Sequence, residues 1–174
     1  IFHLKEFKNK LMEIGIETKL VVDTEIYDGF PSRKLKKWFQ TKKKFKELIN
    51  EFKPDVILVD RQHTLFDVAA VESHIPVAVM LRGDYWSEMQ WAKETLYSDP
   101  IMRSVLWYKN KIAEKCFKNS KLILPICDYL KNITDEKYPN KSKVMYQGID
   151  SKRWHSTDGM KLNHPCVGLL QSAS

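Results

Sequence analysis

Apolar residues recur every three or four positions at Leu4, Phe7, Leu11 and Ile14, the spacing of one helix face. Gly15 follows where a left-handed helix cap is expected, and Thr18–Val22 (TKLVV) predicts a strand. Asp23–Ser32 is turn-rich and predicts a loop. Leu35, Trp38, Phe39, Phe45, Leu48, Ile49 and Phe52 form the stripe of a long helix that stops before Pro54. Asp55–Val59 (DVILV) is a continuous apolar run, which suits a parallel strand buried on both faces. Thr64–Ser73 predicts a short helix and Pro76–Leu81 the next buried strand. Asp84–Trp91 is rich in aromatics and acids and receives no element. Pro100–Lys118 predicts a helix, Lys121–Pro125 a strand, Asp128–Lys137 a helix and Lys143–Tyr146 a strand. Gly159–Pro165 looks like a linker, and Cys166–Leu170 (CVGLL) like the start of a further strand.

Strands alternating with helices imply an α/β fold, a Rossmann-like parallel sheet flanked by helices. Ligands of such sheets bind beyond the carboxyl ends of the strands. That rule selects three segments: Asp60-Arg61-Gln62-His63, Arg82-Gly83-Asp84-Tyr85 and Ile126-Cys127-Asp128.

Composition narrows the class. Apolar residues make up 43% of the chain, enough for a core and too many for a disordered segment. No apolar run is long enough to cross a bilayer, and no secretory leader is visible. Cys116, Cys127 and Cys166 are widely spaced, which argues against a zinc site or a disulfide scaffold. His3, His74, His155 and His164 show no ligand spacing. The sequons at Asn132 and Asn140 read as chance matches in a cytoplasmic chain.

The net charge of +7 is local. Arg33–Lys46 holds eight basic residues and no acid, and the rest of the chain is nearly neutral. A nucleic-acid footprint would be spread more widely. Two readings remain for this helix: lysines in water above a packed stripe, or a peripheral contact with anionic lipid through Lys36, Lys37, Lys42, Lys43, Lys44 and Lys46.

Candidate chemistry sits after the strands. Arg82 can bind a phosphate or carboxylate with two parallel donors, and Gly83 can let the backbone turn beside a ligand. The structural alternative is an ion pair of Arg82 with Asp84 that shapes the turn. Asp60, Arg61 and His63 could perform acid–base work, or Asp60 or Thr64 could simply cap the next helix. Neither GxGxxG, GxxxxGK[ST] nor GxSxG occurs, which sets aside dinucleotide, P-loop and nucleophile-elbow chemistry.

Five segments in order resemble the N-terminal half of the GT-B glycosyltransferases of the large retaining family four. They are LKEFKNKLMEIGIETKLVV (4–22), KPDVILVD (53–60), IPVAVMLRGD (75–84), NSKLILPICDYL (119–130) and KVMYQGIDSKRW (143–154). The last four are similar to that family's PDVIHAH, IPVVxTxHG, ADxVIxVSxxL and KIxVIxNGVDxxxF strands. Departures are specific: Arg82 stands where the family has a histidine, Asp60 where it has the histidine ending "HAH", Cys127 in place of a serine and Gln147 in place of an asparagine.

The resemblance implies one half of a GT-B fold. Residues 1–158 would be the acceptor-side domain, its first strand lying upstream, and residues 159–174 the linker and the start of a donor-binding domain. It implies transfer of a sugar from a nucleotide-sugar to a lipid or saccharide acceptor, without metal or other cofactor. The nucleotide would bind chiefly to the chain's own C-terminal domain, and this segment alone would not turn over. Arg82 would be catalytic, facing the donor, with Asp60, Arg61, His63, Gly83, Asp84 and Tyr85 lining the acceptor side. The rivals are a sugar-nucleotide epimerase of the same architecture and a non-catalytic α/β binding module.

Overall fold

The structure is a computed structural model and describes residues 2–18, 35–60, 65–148 and 152. The elements run α1 (Phe2–Glu13), α2 (Leu35–Phe52), β1 (Ile57–Val59), α3 (Leu65–Glu72), β2 (Val77–Leu81), α4 (Tyr85–Thr95), α5 (Pro100–Asn119), β3 (Leu122–Pro125) and α6 (Asp128–Lys137). The three strands form a parallel sheet in the order β1-β2-β3, with Val59 beside Val79 and Val79 beside Ile123. The chain is therefore α/β, a three-stranded parallel sheet flanked by helices in a Rossmann-like arrangement. The expected strand over Thr18–Val22 lies, apart from Thr18, outside the described residues, as do the loop after it, the linker and the strand over Cys166–Leu170.

Local signals account for most boundaries. α1 closes with Gly15 at φ 80. The Gly15 N–H donates to Met12 O and the Ile16 N–H to Leu11 O, the paired bonds of a Schellman cap. α5 begins at Pro100 behind Asp99, whose carboxylate accepts from the Ile101 N–H at 2.6 Å. At its other end Lys141 donates to the carbonyls of Phe117, Lys118 and Ser120. An ammonium there satisfies orphan carbonyls and complements the negative end of the helix dipole.

Lys143–Tyr146 forms no named strand, and Pro125 supplies the reason. The Ile123 N–H donates to Lys141 O, the Lys143 N–H to Ile123 O and the Met145 N–H to Pro125 O. These are the slanted bonds of a parallel ladder on the free side of β3. The next bond would need an N–H at residue 125, and proline has none. The segment is thus a fourth, incompletely bonded member of the sheet.

The core lies on one face of the sheet. Val59, Val77, Val79, Leu81 and Ile123 pack with Ala70 of α3, Tyr85 of α4, Ala113, Cys116 and Phe117 of α5 and Leu130 of α6. Phe117 is fully buried, with ring centroids 5.8 Å from Tyr85, 5.5 Å from Trp86 and 5.6 Å from Tyr138. Burial alternates along the strands, which corrects the expectation of strands buried on both faces. Leu58 is exposed, and Ala78, Met80, Leu122 and Leu124 are half-buried. A continuous apolar run cannot by itself distinguish these cases, because both faces of such a strand are apolar.

Candidate functional site at the carboxyl edge of the sheet

The loops after β1, β2, β3 and the 141–146 segment stand side by side, and side chains join each neighbouring pair. Arg82, one residue beyond β2, places Nε 2.7 Å from Oδ1 of Asp60, one residue beyond β1. Asp84 Oδ2 accepts from the Tyr129 hydroxyl at 3.5 Å, bridging the loops after β2 and β3. Asp128 Oδ2 accepts from the Tyr146 hydroxyl at 2.6 Å, bridging β3 to the fourth segment. The result is a belt of polar contacts across the whole carboxyl edge.

Arg82 is tethered at one end only. Its Nε meets Asp60 and also lies 3.3 Å from Met80 Sδ. The Nη groups have no hydrogen bond among the described residues, and the side chain is 58% exposed. The alternative pairing with Asp84 is not formed, because Asp84 caps α4. Its Oδ1 accepts from the Ser87 N–H and its Oδ2 from the Ser87 hydroxyl at 2.6 Å. The Ser87 hydroxyl, ahead of an opposing desolvation effect and helped by backbone N–H groups, holds the Asp84 carboxyl below its ordinary value. Asp84 is therefore an anion across the physiological range.

Tyr85 requires a correction. It follows the cap as the first residue of α4 and turns inward, where it is buried and donates its hydroxyl to Asn110 Oδ1 at 2.7 Å. Burial, reinforced by the charge of Glu114, pushes its pKa up. It is a core residue and does not line the edge. The φ of Gly83 lies outside the left-handed region, so the backbone does not require glycine there. The carboxylate of Glu88 instead sits over it, with Oε1 2.6 Å from where a Cβ would stand. Arg61 and His63 lie outside the described residues.

Two residues absent from the expected site, Tyr129 and Tyr146, are 64% and 67% exposed at the edge. The hydrogen bond to Asp128, followed by that carboxylate's charge, raises the pKa of Tyr146 and keeps it a neutral phenol. Cys127 begins α6 without a side-chain cap bond and is half-buried. Among the described residues, the edge carries the carboxylates of Asp60, Asp84, Glu88 and Asp128 against the guanidinium of Arg82. No group of three or more His, Cys, Asp or Glu among the described residues is placed to hold a metal ion.

The basic helix α2 behaves differently from expectation at two of its lysines. Lys42 and Lys46 turn toward α3, where both lie within 3 Å of Glu72, and Lys115 of α5 reaches the same carboxylate at 2.7 Å. They tie three helices together through one carboxylate. Lys43 is 80% exposed and 3.8 Å from Glu47. Lys44 is half-buried and has an interaction of its own, while Lys36 and Lys37 belong to the first turn of α2. No helix among the described residues is long and apolar enough to cross a membrane.

No protein-family model matches the chain, and no curated protein is significantly similar to it.

Proposed function

We propose that this chain is the acceptor-side half of a retaining GT-B glycosyltransferase that takes its sugar from a nucleotide-sugar. The observation that carries the reading is Arg82, anchored through Nε by Asp60 at the carboxyl edge, with outer nitrogens that make no hydrogen bond among the described residues. In transfer the bond from the anomeric carbon to the phosphate oxygen breaks, and negative charge collects on the departing diphosphate. A preoriented guanidinium stabilises that charge more than it stabilises the intact donor. The acceptor hydroxyl supplies the electron pair for the new glycosidic bond, and its proton leaves with the diphosphate. The chemistry needs no metal on this half. The surrounding carboxylates disfavour a second phosphate site here, which fits a nucleotide held chiefly by the C-terminal domain.

The reading is of a cytoplasmic protein with peripheral membrane contact through the basic stretch of α2, among whose lysines Lys43 is 80% exposed. A second reading, sugar-nucleotide epimerase, draws on the four carboxylates of the edge. Incubation of the full-length protein with a panel of nucleotide-sugars separates the two. Acceptor-dependent release of nucleoside diphosphate supports transfer. Conversion of the donor to its epimer without acceptor supports the rival. Neither product from any donor would refute both.

A further inference from the structure

We infer that Lys42, Lys46 and Lys115 hold a small phosphate dianion, free or as a soluble phosphomonoester, at the junction of α2, α3 and α5. The site stands at the edge of the sheet opposite Arg82 and does not depend on the transferase reading.

Topology gives it that place. α3 joins the parallel strands β1 and β2, so it runs back against them and ends at Glu72, near their amino ends. Lys42 approaches both oxygens of the Glu72 carboxylate, at 3.0 and 2.8 Å. Lys46 meets Oε2 at 2.9 Å and Lys115 meets Oε1 at 2.7 Å. Three ammonium groups thus share one anion. The other carboxylates on these faces of α2 and α5 are taken one to one, Glu47 by Lys43 and Glu114 by Lys111.

The charges do not balance. Three ammonium groups less one carboxylate leave two positive charges. The C-terminal end of α3 offsets about half of one. The end of α5 offsets little, because Lys141 donates to the carbonyls of Phe117, Lys118 and Ser120 and adds a positive charge of its own. Like charges gathered on a single carboxylate repel one another, and a second anion relieves that repulsion. A dianion matches the surplus. Hydrogen bonding agrees with the charge: three ammonium groups carry about nine N–H donors, and a carboxylate accepts about four. The three oxygens of a phosphoryl group accept from several ammonium groups at once.

Depth selects a small anion over a membrane. The Lys42 and Glu72 side chains are 29% and 23% exposed, whereas that of Lys43 is 80% exposed. A flat leaflet meets Lys43 first, and a phosphate ion can reach the recessed group.

Acetylation of the full-length protein by an activated acetate ester, followed by peptide mass spectrometry at constant ionic strength, tests the site. Acylation needs the neutral amine, and a bound anion both covers the amine and keeps it protonated. Inorganic phosphate at saturation should slow acetylation of Lys46 and Lys115 about tenfold and leave Lys43 within about twofold. Acetate should slow none of them. In Lys115→Gln the protection of Lys46 should fall about tenfold, and in Lys115→Arg, which keeps the charge, it should persist. Thermal melting checks that both variants remain folded. No slowing at Lys46 and Lys115, equal slowing at Lys43 or by acetate, or unchanged protection of Lys46 in Lys115→Gln overturns the inference. Phosphatidylserine vesicles that protect Lys46 and Lys115 as well as phosphate does would also overturn it and assign the cluster to the leaflet.

Discussion

Arg82 and Asp60 meet Nε to Oδ1 at 2.7 Å across the carboxyl ends of neighbouring parallel strands. Both side chains are at least half exposed, so the pair is screened and contributes between zero and about 1 kcal/mol to stability. Its consequence is orientation: the guanidinium is held by its inner nitrogen, and its outer fork makes no hydrogen bond among the described residues.

Stability and turnover should therefore separate at Arg82. Arg82→Ala should shift the melting temperature by no more than about 2–4 °C and, on the transferase reading, lower the full-length protein's turnover on the order of a hundredfold. Arg82→Lys should be intermediate, because lysine keeps the charge and loses the fork. Asp60→Asn should lower kcat about tenfold with little change in the acceptor KM, as misorientation of the guanidinium would. Near-normal kcat in Arg82→Ala would reduce the residue to a surface ion pair.

Glu72 predicts an acid-sensitive helix junction. Partial burial raises its pKa, but the hydrogen bonds from Lys115, Lys42 and Lys46 outweigh this and lower it from 4.5 to about 2. A depressed folded-state pKa contributes stability that is complete above the unfolded value and lost as pH falls through the folded one. Glu72→Gln should thus cost roughly 1–2 kcal/mol at neutral pH, allowing for lysines that are partly in water. Wild type and variant should converge between pH 4.5 and about 2. Chemical denaturation of both proteins across that range checks the claim, and a pH-independent gap would contradict it.

Much of the fold was legible because local rules agreed with the packing. The stripes of α1 and α2 located those helices, and Pro100 and Gly15 marked ends that the structure keeps. α4 was hidden because its first turn mixes aromatics with acids. Its signals are Asp84 capping Ser87 and the inward spacing of Tyr85, Met89 and Ala92. At the edge, strand ends located Asp60 and Arg82, but Asp84 appeared an equal partner for Arg82 until the cap claimed it. Tyr129 and Tyr146 escaped notice because their carboxylates lie 45 and 18 residues away in sequence. Strand order, which brings those loops together, is not written in any local pattern.

Gly83→Ala should be tolerated. The added Cβ meets only Oε1 of Glu88, the far end of a flexible side chain, and no left-handed backbone is strained. The melting temperature should change by less than a few degrees, the range of a surface substitution. A loss of more than about 2 kcal/mol in equilibrium unfolding would mean that Glu88 cannot move.

Membrane contact should depend on some lysines of α2 and not on others. Lys42 and Lys46 are committed to Glu72, so the double change to Gln should lower thermal stability while leaving vesicle binding nearly intact. Lys36, Lys37 and Lys43 are further lysines of the basic stretch, and of these Lys43 is 80% exposed. An anionic leaflet attracts each nearby lysine by about 1 kcal/mol, so the triple change to Gln should weaken binding to phosphatidylserine vesicles on the order of a hundredfold. The attraction decays over a Debye length of about 8 Å at physiological salt, and added salt should release the protein. Co-sedimentation of the full-length protein with neutral and anionic vesicles reads all of these effects. Equal binding to both vesicles, or the same loss from the Lys42 and Lys46 pair as from the other three, would leave α2 a solvated face whose charge serves only solubility.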